Sequence, residues 1–440
     1  VQTALKTKFM KRLCSHISPA NRDFSCMTWS LENLMYVRVA CQLLESLLSC
    51  DAGVAFLKEN RMLQDLADAL KLEVDEPNTR SKERLFTSDK VLKTMAREYF
   101  TLMGLLSSSQ TGLEVMKKFK LFEYLSPIMV LNGREDLSLL IVTSLDYNTM
   151  GPSRILLARS LTGSKSVVRF LATRHLRTLL RAGVNGFPEW GVKLLVKQLN
   201  DEDPKVAGEA LNILDEAADE LDCMESLVSK KPQLSKMGKP GKNLMIRFLC
   251  HSAGFQYLSE LGWLADEMAQ WRAAGFVDYC LSVESLLSEC FSKTVWRTQK
   301  NEQTDNVVNL PPHFYGELAR TDAGCRVLQA SNHFTEFLTL LTDEAAPPLH
   351  RRAAAWAIGH IGKCPTGFAF LARHSVVRLL VDLTERSPML ALRGTCFNVL
   401  GMISATDDAR AELSACGWES PSDHNTNISV PKSVQESGFL

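Results

Sequence analysis

The chain has 440 residues, 45% apolar and 23% charged, with 50 Lys plus Arg balanced by 50 Asp plus Glu. A formal net charge of zero excludes a general electrostatic nucleic-acid binder, which needs a basic face to displace counterions. No apolar run reaches the length of a membrane span, and Val1-Gln2-Thr3-Ala4-Leu5-Lys6 resembles neither a signal nor a transit peptide. The composition reads as a soluble, cytoplasmic chain, a fragment of something longer.

In chain order, the first helix carries Lys8, Lys11 and Arg12 on one face at i, i+3 and i+4. Such a cluster can hold a nucleotide or another phosphorylated ligand through charge-assisted hydrogen bonds, or simply face solvent. Around Glu45, the residues Leu43, Leu44 and Leu47 form an apolar face, followed by Gly53 and Leu57. Residues 71–89 are charged and poor in apolar side chains, and read as a break. Around Gly104 the face is Tyr99, Leu102, Met103 and Leu106, with Gly112 and Met116 following.

Further on, Arg174, Arg177 and Arg181 fall at i, i+3 and i+7, a basic ridge beside an apolar stripe. It suits an acidic partner or the carboxylates of a neighbouring repeat. Asp203-Pro204 starts a helix with an N-cap and a first-turn proline, and Val206, Ala210, Ile213, Leu214 and Ala217 form its buried stripe. Asp215-Glu216 and Asp219-Glu220 on the same helix read as a solvated outer face. Another apolar face surrounds Ile246 (Leu244, Met245, Phe248), followed by Gly254 and Leu258. Residues 289–312, ending in Pro311-Pro312, read as a linker. Three faces then succeed one another around Gly316, Gly359 (Ala354, Ala357, Ile358, Ile361) and Gly401 (Cys396, Val399, Leu400, Ile403). Gly324, Gly367 and Ala409 stand eight residues after each. Residues 419–440, rich in Ser, Asn and Pro, read as a disordered tail.

The recurring unit is an apolar helix, a tight polar turn and a second helix. Positions 316, 359 and 401 are 43 and 42 residues apart, the period of armadillo and HEAT units. A glycine within a helix costs about 1 kcal/mol against alanine, so its recurrence points to close helix crossings. Ser107-Ser108-Ser109, Thr321-Asp322 and Thr406-Asp407 stand where the second helix needs its cap. The expected fold is an all-α, armadillo/HEAT-type α-solenoid of roughly eight to ten helical pairs.

Motifs that carry chemistry are missing. Gly362-Lys363-Cys364 and Gly241-Lys242-Asn243 lack the first glycine and the hydroxyl of a phosphate-binding loop. There is no G-x-S-x-G and no H-E-x-x-H. The twelve cysteines include no C-x-x-C pair and read as reduced, mostly buried thiols. His360 and Cys364 at i and i+4 are two ligands, which do not make a metal site. We therefore expect no enzyme, no catalytic residue, no metal and no required cofactor.

Several stretches resemble the Rictor family, large scaffold subunits of target of rapamycin complex two. They are Val142-Thr143-Ser144-Leu145-Asp146-Tyr147, the run from Ala172 to Ala182, and Glu209-Ala210-Leu211-Asn212-Ile213-Leu214-Asp215-Glu216-Ala217. Two more are Leu310-Pro311-Pro312-His313-Phe314-Tyr315-Gly316-Glu317-Leu318 and the run from Arg393 to Gly401. The resemblance runs in order from near residue 1 to about Trp418. It implies helical repeats over 1–149 and a HEAT-like segment over 150–288, of which 150–265 resembles a region named after the N-terminal part of Ras exchange factors. Beyond these it implies the linker 289–312, two to three armadillo-like repeats over 313–418 and the tail 419–440.

As function, the resemblance implies a non-catalytic, rapamycin-insensitive scaffold that binds the target of rapamycin kinase and a Sin1-type subunit. It implies a block on access of the rapamycin–immunophilin pair and support for phosphorylation of AGC-family kinases, with peripheral plasma-membrane placement through the complex. It also implies a nucleotide-binding basic helix at Lys8, Lys11 and Arg12. Residues 71–89 and 289–309 depart from the family pattern. The alternatives are a regulator or exchange factor of a small Ras-type GTPase and a ligand-sensing repeat module.

Overall fold

A computed structural model describes residues 8–75, 84–163, 165–297, 310–420 and 429–432, the side chains of 8–9 and 290–297 excepted. The fold is an all-α, armadillo/HEAT-type solenoid, and the chain divides into two compact units, Val1–Leu227 and Val228–Leu440.

The first unit runs through α1 (Lys8–Ile17), α2 (Leu34–Leu48), α3 (Asp51–Glu59), α4 (Arg61–Asp75), α5 (Ser88–Lys93), α6 (Glu98–Ser107) and α7 (Gln110–Lys118). It continues with α8 (Leu121–Ile128), α9 (Glu135–Ser144), α10 (Pro152–Ser160), α11 (Ser166–Arg181), α12 (Phe187–Gln198) and α13 (Pro204–Ala217). The division falls near the end of α14 (Leu221–Ser229). Here α2, α6, α9, α11 and α13 pack side by side in that order.

The second unit holds α15 (Gly238–Phe248), α16 (Ser252–Glu260), α17 (Trp263–Gln270), α18 (Phe276–Arg297), α19 (Phe314–Leu318), α20 (Asp322–Ser331) and α21 (His333–Thr342). It ends with α22 (Pro348–Gly362), α23 (Pro365–Ala372), α24 (Val376–Arg386), α25 (Leu390–Ile403) and α26 (Asp407–Ala415). Its axis is α22, which packs on α18, α19, α21 and α25. The run Ala353–Gly359 is buried all round, as a helix enclosed by its neighbours must be.

The apolar faces read from the sequence are the buried faces. Tyr99, Leu102, Met103 and Leu106 are buried on α6, and Cys396, Val399, Leu400 and Ile403 are fully buried on α25. At each corner the second glycine does one job. A Cβ on Gly53, Gly112, Gly254, Gly324 or Gly367 would press into the carbonyl oxygen six residues earlier, at Leu47, Leu106, Phe248, Leu318 and Ile361 respectively. The cap stands three residues before the glycine. Ser109 and Thr321 accept the N–H of Gly112 and Gly324 at 3.1 Å, and Cys364 Sγ accepts that of Gly367 at 3.4 Å. The sixth corner carries Ala409, capped by Thr406 at 3.4 Å.

The first glycines mark crossings between consecutive inner helices. A Cβ on Gly316 would lie 2.8 Å from His360 Cβ, and one on Gly359 would lie 3.0 Å from the Val399 methyls. At Gly104 it would meet the Ser144 carbonyl oxygen at the end of α9.

Three expectations shift. No Gly or Pro interrupts residues 276–297, and α18 extends through them to Arg297, over the start of the expected linker; residues 298–309 lie outside the described residues. Within 71–89, α4 continues to Asp75 and α5 begins at Ser88, while 76–83 lie outside the description. In the expected tail, β2 (Val430–Pro431) pairs antiparallel with β1 (Trp418–Glu419). Trp418 anchors that pair: it is 1% exposed, and its Nε1–H donates to Glu385 at 3.0 Å. Residues 421–428 and 433–440 lie outside the described residues.

Substitutions separate the corner glycines from those that are merely helical. Gly324→Ala and Gly367→Ala should each lower stability by about 2–3 kcal/mol through forced overpacking. Nothing lies within 4 Å of a Cβ on Gly208 or Gly394, so Ala there should raise stability by about 0.5–1 kcal/mol. Urea denaturation of the four variants checks the opposite signs.

Candidate interaction surface

α1 turns Met10, Cys14 and Ile17 inward and leaves Lys11 and Arg12 exposed. Lys8 opens the helix, with its side chain outside the description. On the same helix His16 stands 3.6 Å from Asp23 and its ring centroid lies 6.4 Å from that of Tyr36. Two of the three expected cations thus share an exposed face.

The arginine ridge on α11 divides. Arg177 Nη1 meets Glu209 at 3.1 Å, and its Nε lies 3.2 Å from Glu216 Oε2. Arg181 binds Glu216 through Nε at 2.5 Å and Nη2 at 3.1 Å. Both carboxylates belong to α13, the next helix in the stack. The guanidinium of Arg181 holds the Glu216 carboxyl below its ordinary range, against partial burial that works the other way. Glu216 is therefore no part of a solvated outer face: the neighbouring repeat's carboxylates take up Arg177 and Arg181. Arg174 is exposed and makes no ion pair among the described residues.

The sequence reading passes over a buried ion cluster. Glu73 is wholly buried at the end of the α4 stripe that includes Leu66 and Leu70. Its carboxylate binds Arg84, with Arg84 Nε at 3.2 Å, and Arg134 Nη1 at 2.9 Å. It also accepts the Phe86 N–H at 3.3 Å. Arg134 reaches Asp136 at 3.1 Å and donates to the Phe86 carbonyl. A buried carboxylate needs this complement of partners, since removing one leaves an uncompensated charge. The available signal was a glutamate in phase with leucines at i, i+4 and i+7.

In the second unit, histidines fill the core. The His313 and His360 rings stack with centroids 4.6 Å apart and 4° between planes. His360 Nε2 shares a 2.8 Å hydrogen bond with the Tyr279 hydroxyl. His313 Nδ1 accepts the Gly316 N–H at 3.3 Å, and its Nε2 has no hydrogen-bond partner among the described residues. Tyr315 and His333 form a second pair at 3.1 Å. Burial holds His313 well below the ordinary histidine value, helped by neighbouring His360. Burial first and Lys363 second bring His360 down to about 3.

His360 and Cys364 do not converge: Cys364 Sγ donates to the Ala319 carbonyl at 3.6 Å. Among the described residues no three His, Cys, Asp or Glu side chains gather as metal ligands, and eleven described cysteines are free. Burial pushes Cys14 up to about 11 and Cys396 up to about 12, which keeps both as unreactive thiols. No single helix among the described residues is long and apolar enough to cross a membrane.

Comparison with known proteins identifies the architecture. Three profiles of rapamycin-insensitive companion of mTOR match in order: its middle domain over residues 77–180, its RasGEF_N domain over 186–293 and its domain 5 over 349–419. The chain belongs to the Rictor family. Protein pianissimo A of Dictyostelium discoideum is 45% identical over 100% of this chain and 40% of its own length. Target of rapamycin complex 2 subunit ste20 of Schizosaccharomyces pombe is 32% identical over 95% of the chain and 33% of its own length. The human rapamycin-insensitive companion of mTOR is 31% identical over 94% of the chain and 25% of its own length. The chain thus spans a quarter to two fifths of these Rictor-family relatives. The first two profiles meet at the connection between α11 and α12, just past the arginine ridge.

The histidine core gives a pH signature. Both folded-state values lie below that of an unfolded histidine, so above pH 6.5 neither ring affects stability. Below it the unfolded chain takes up protons that the fold refuses, and stability falls until the folded value is passed. At pH 5 the His360 ring should cost about 2 kcal/mol, and His313 adds in the same direction. Melting of His360→Gln between pH 7 and pH 5 should show a shallower decline than the parent chain; equal slopes would count against a neutral buried ring.

Proposed function

We propose that this chain is a non-catalytic scaffold segment of target of rapamycin complex 2. It would bind the target of rapamycin kinase and a Sin1-type subunit and support phosphorylation of AGC-family kinases. One observation carries the reading: nearly the whole chain aligns in register with proteins named as subunits of that complex, ste20 and TSC11 among them. The repeats supply the means, because stacked helical pairs offer long continuous faces to other proteins. The chemistry of α11 and α13 agrees with this, since Arg177 and Arg181 pair with Glu209 and Glu216 and so hold neighbouring repeats together.

Expressed with a tag in cells, the 440-residue chain should retain the kinase, and lysine cross-links should map to one face of each unit. Failure to retain any subunit of the complex, together with accelerated nucleotide release from a Ras-type GTPase, would replace this reading with that of an exchange factor.

Exposed Lys11 and Arg12 support a second role, a phosphate-binding patch that takes a nucleotide without hydrolysing it. Two charge-assisted contacts are worth roughly 1.5–3 kcal/mol each. Reversing both charges (Lys11→Glu, Arg12→Glu) should therefore weaken ATP binding at least 100-fold by calorimetry; unchanged affinity would remove the patch from consideration.

A further inference from the structure

A cavity of about 290 Å³ lies between the loop after α1, one face of α4, and α5. Such a volume is at the lower end for small-molecule sites. α4 lines it with Asp65, Asp68 and Leu72, at i, i+3 and i+7. The loop contributes Arg22 and Ser25, and α5 contributes Lys90. Ser25 is 2% exposed, and its Oγ has no hydrogen-bond partner among the described residues. A buried hydroxyl is costly to leave unpaired, so a lone buried hydroxyl on a cavity wall marks a position where water, or a ligand atom that displaces it, completes the pairing.

The charges around that hydroxyl are sorted by wall. Both carboxylates stand on α4, steadied from outside: Asp65 accepts the Ser18 hydroxyl, and Asp68 accepts the Gln64 amide at 2.9 Å. Both cations stand on the other elements, with Lys90 Nζ held by the Arg84 carbonyl at 2.5 Å. A simple cation entering the cavity would be drawn to α4 and repelled by Arg22 and Lys90. A simple anion would meet the reverse. A molecule with an ammonium at one end and an acid group at the other satisfies both walls, with its methylenes against Leu72.

We propose that this cavity binds a small zwitterion, its ammonium toward Asp65 and Asp68, its acid group toward Arg22 and Lys90, and Ser25 hydrogen-bonded to it. The site is separate from the exposed patch on α1, because neither Lys11 nor Arg12 lines the cavity.

The test uses the 440-residue chain with glycine, β-alanine, γ-aminobutyrate and taurine, which differ in charge separation and acid group. Acetate and ethylammonium serve as single-charge controls at the same ionic strength. Calorimetry and thermal melting should show at least one zwitterion binding ten times more tightly than either control. Asp68→Asn should weaken that binding at least tenfold. Ser25→Ala should weaken it several-fold without lowering the melting temperature of the unliganded chain, because the lost oxygen bonds nothing among the described residues. The proposal fails if no zwitterion binds, if acetate or ethylammonium binds as well, or if both variants bind like the parent.

Discussion

At five described corners a glycine Cα is pressed against the carbonyl oxygen that ends the preceding helix. That contact fixes how closely the second helix of a pair folds back on the first. At Gly112, Gly324 and Gly367 a side-chain cap three residues earlier also fixes where the second helix starts, so corner and cap together set the angle of those pairs. The apolar faces then have one way to stack: α6 on α9 and α19 on α22, with a second set of small residues at the crossings. Stability in such a stack is approximately a sum over units and their neighbours. The corner therefore acts locally, and its repetition builds the fold. Ala409 shows the tolerance of the rule, since its N–H keeps the cap from Thr406 although a Cβ is present.

Polar groups are used in two ways. Glu73 is enclosed by two arginines, 11 and 61 residues further along the chain, tying the end of α4 to the segments before α5 and α9. Arg177 and Arg181 do similar work nearer the surface, where solvent screens each pair and its worth is small. Replacing the buried cluster by apolar residues of matching shape would cost little energy, whereas removing a single partner leaves a buried charge uncompensated.

Much of this was legible in the residues. The face around Gly401, the cap at Thr321 and the glycine at 324 are short-range patterns, and helix geometry alone turns them into structure. Glu73 was legible only as a glutamate in phase with Leu66 and Leu70; its partners Arg84 and Arg134 are chosen by tertiary packing and leave no spacing to read. The linker expectation reached too far back over 289–297, because the polar run behind it, Gln299-Lys300-Asn301-Glu302-Gln303, lies beyond them, while helix formation needed only the absence of a breaker. The arginine ridge was readable as a ridge, but one chain does not say which carboxylates face it. The cavity beside Ser25 was invisible, since a serine between Phe24 and Cys26 carries no pattern.

His360 joins several of these features at one position. Its Cβ sets the closeness of Gly316, its ring stacks on His313, and its Nε2 meets Tyr279. Two segments far apart in sequence, one at Tyr279 and one holding His313 and Gly316, therefore read the same side chain at once. Such a residue cannot drift alone. Along a lineage of related chains, positions 279, 313, 316 and 360 would change as a set or stay as they are, even though none of them needs to touch another protein.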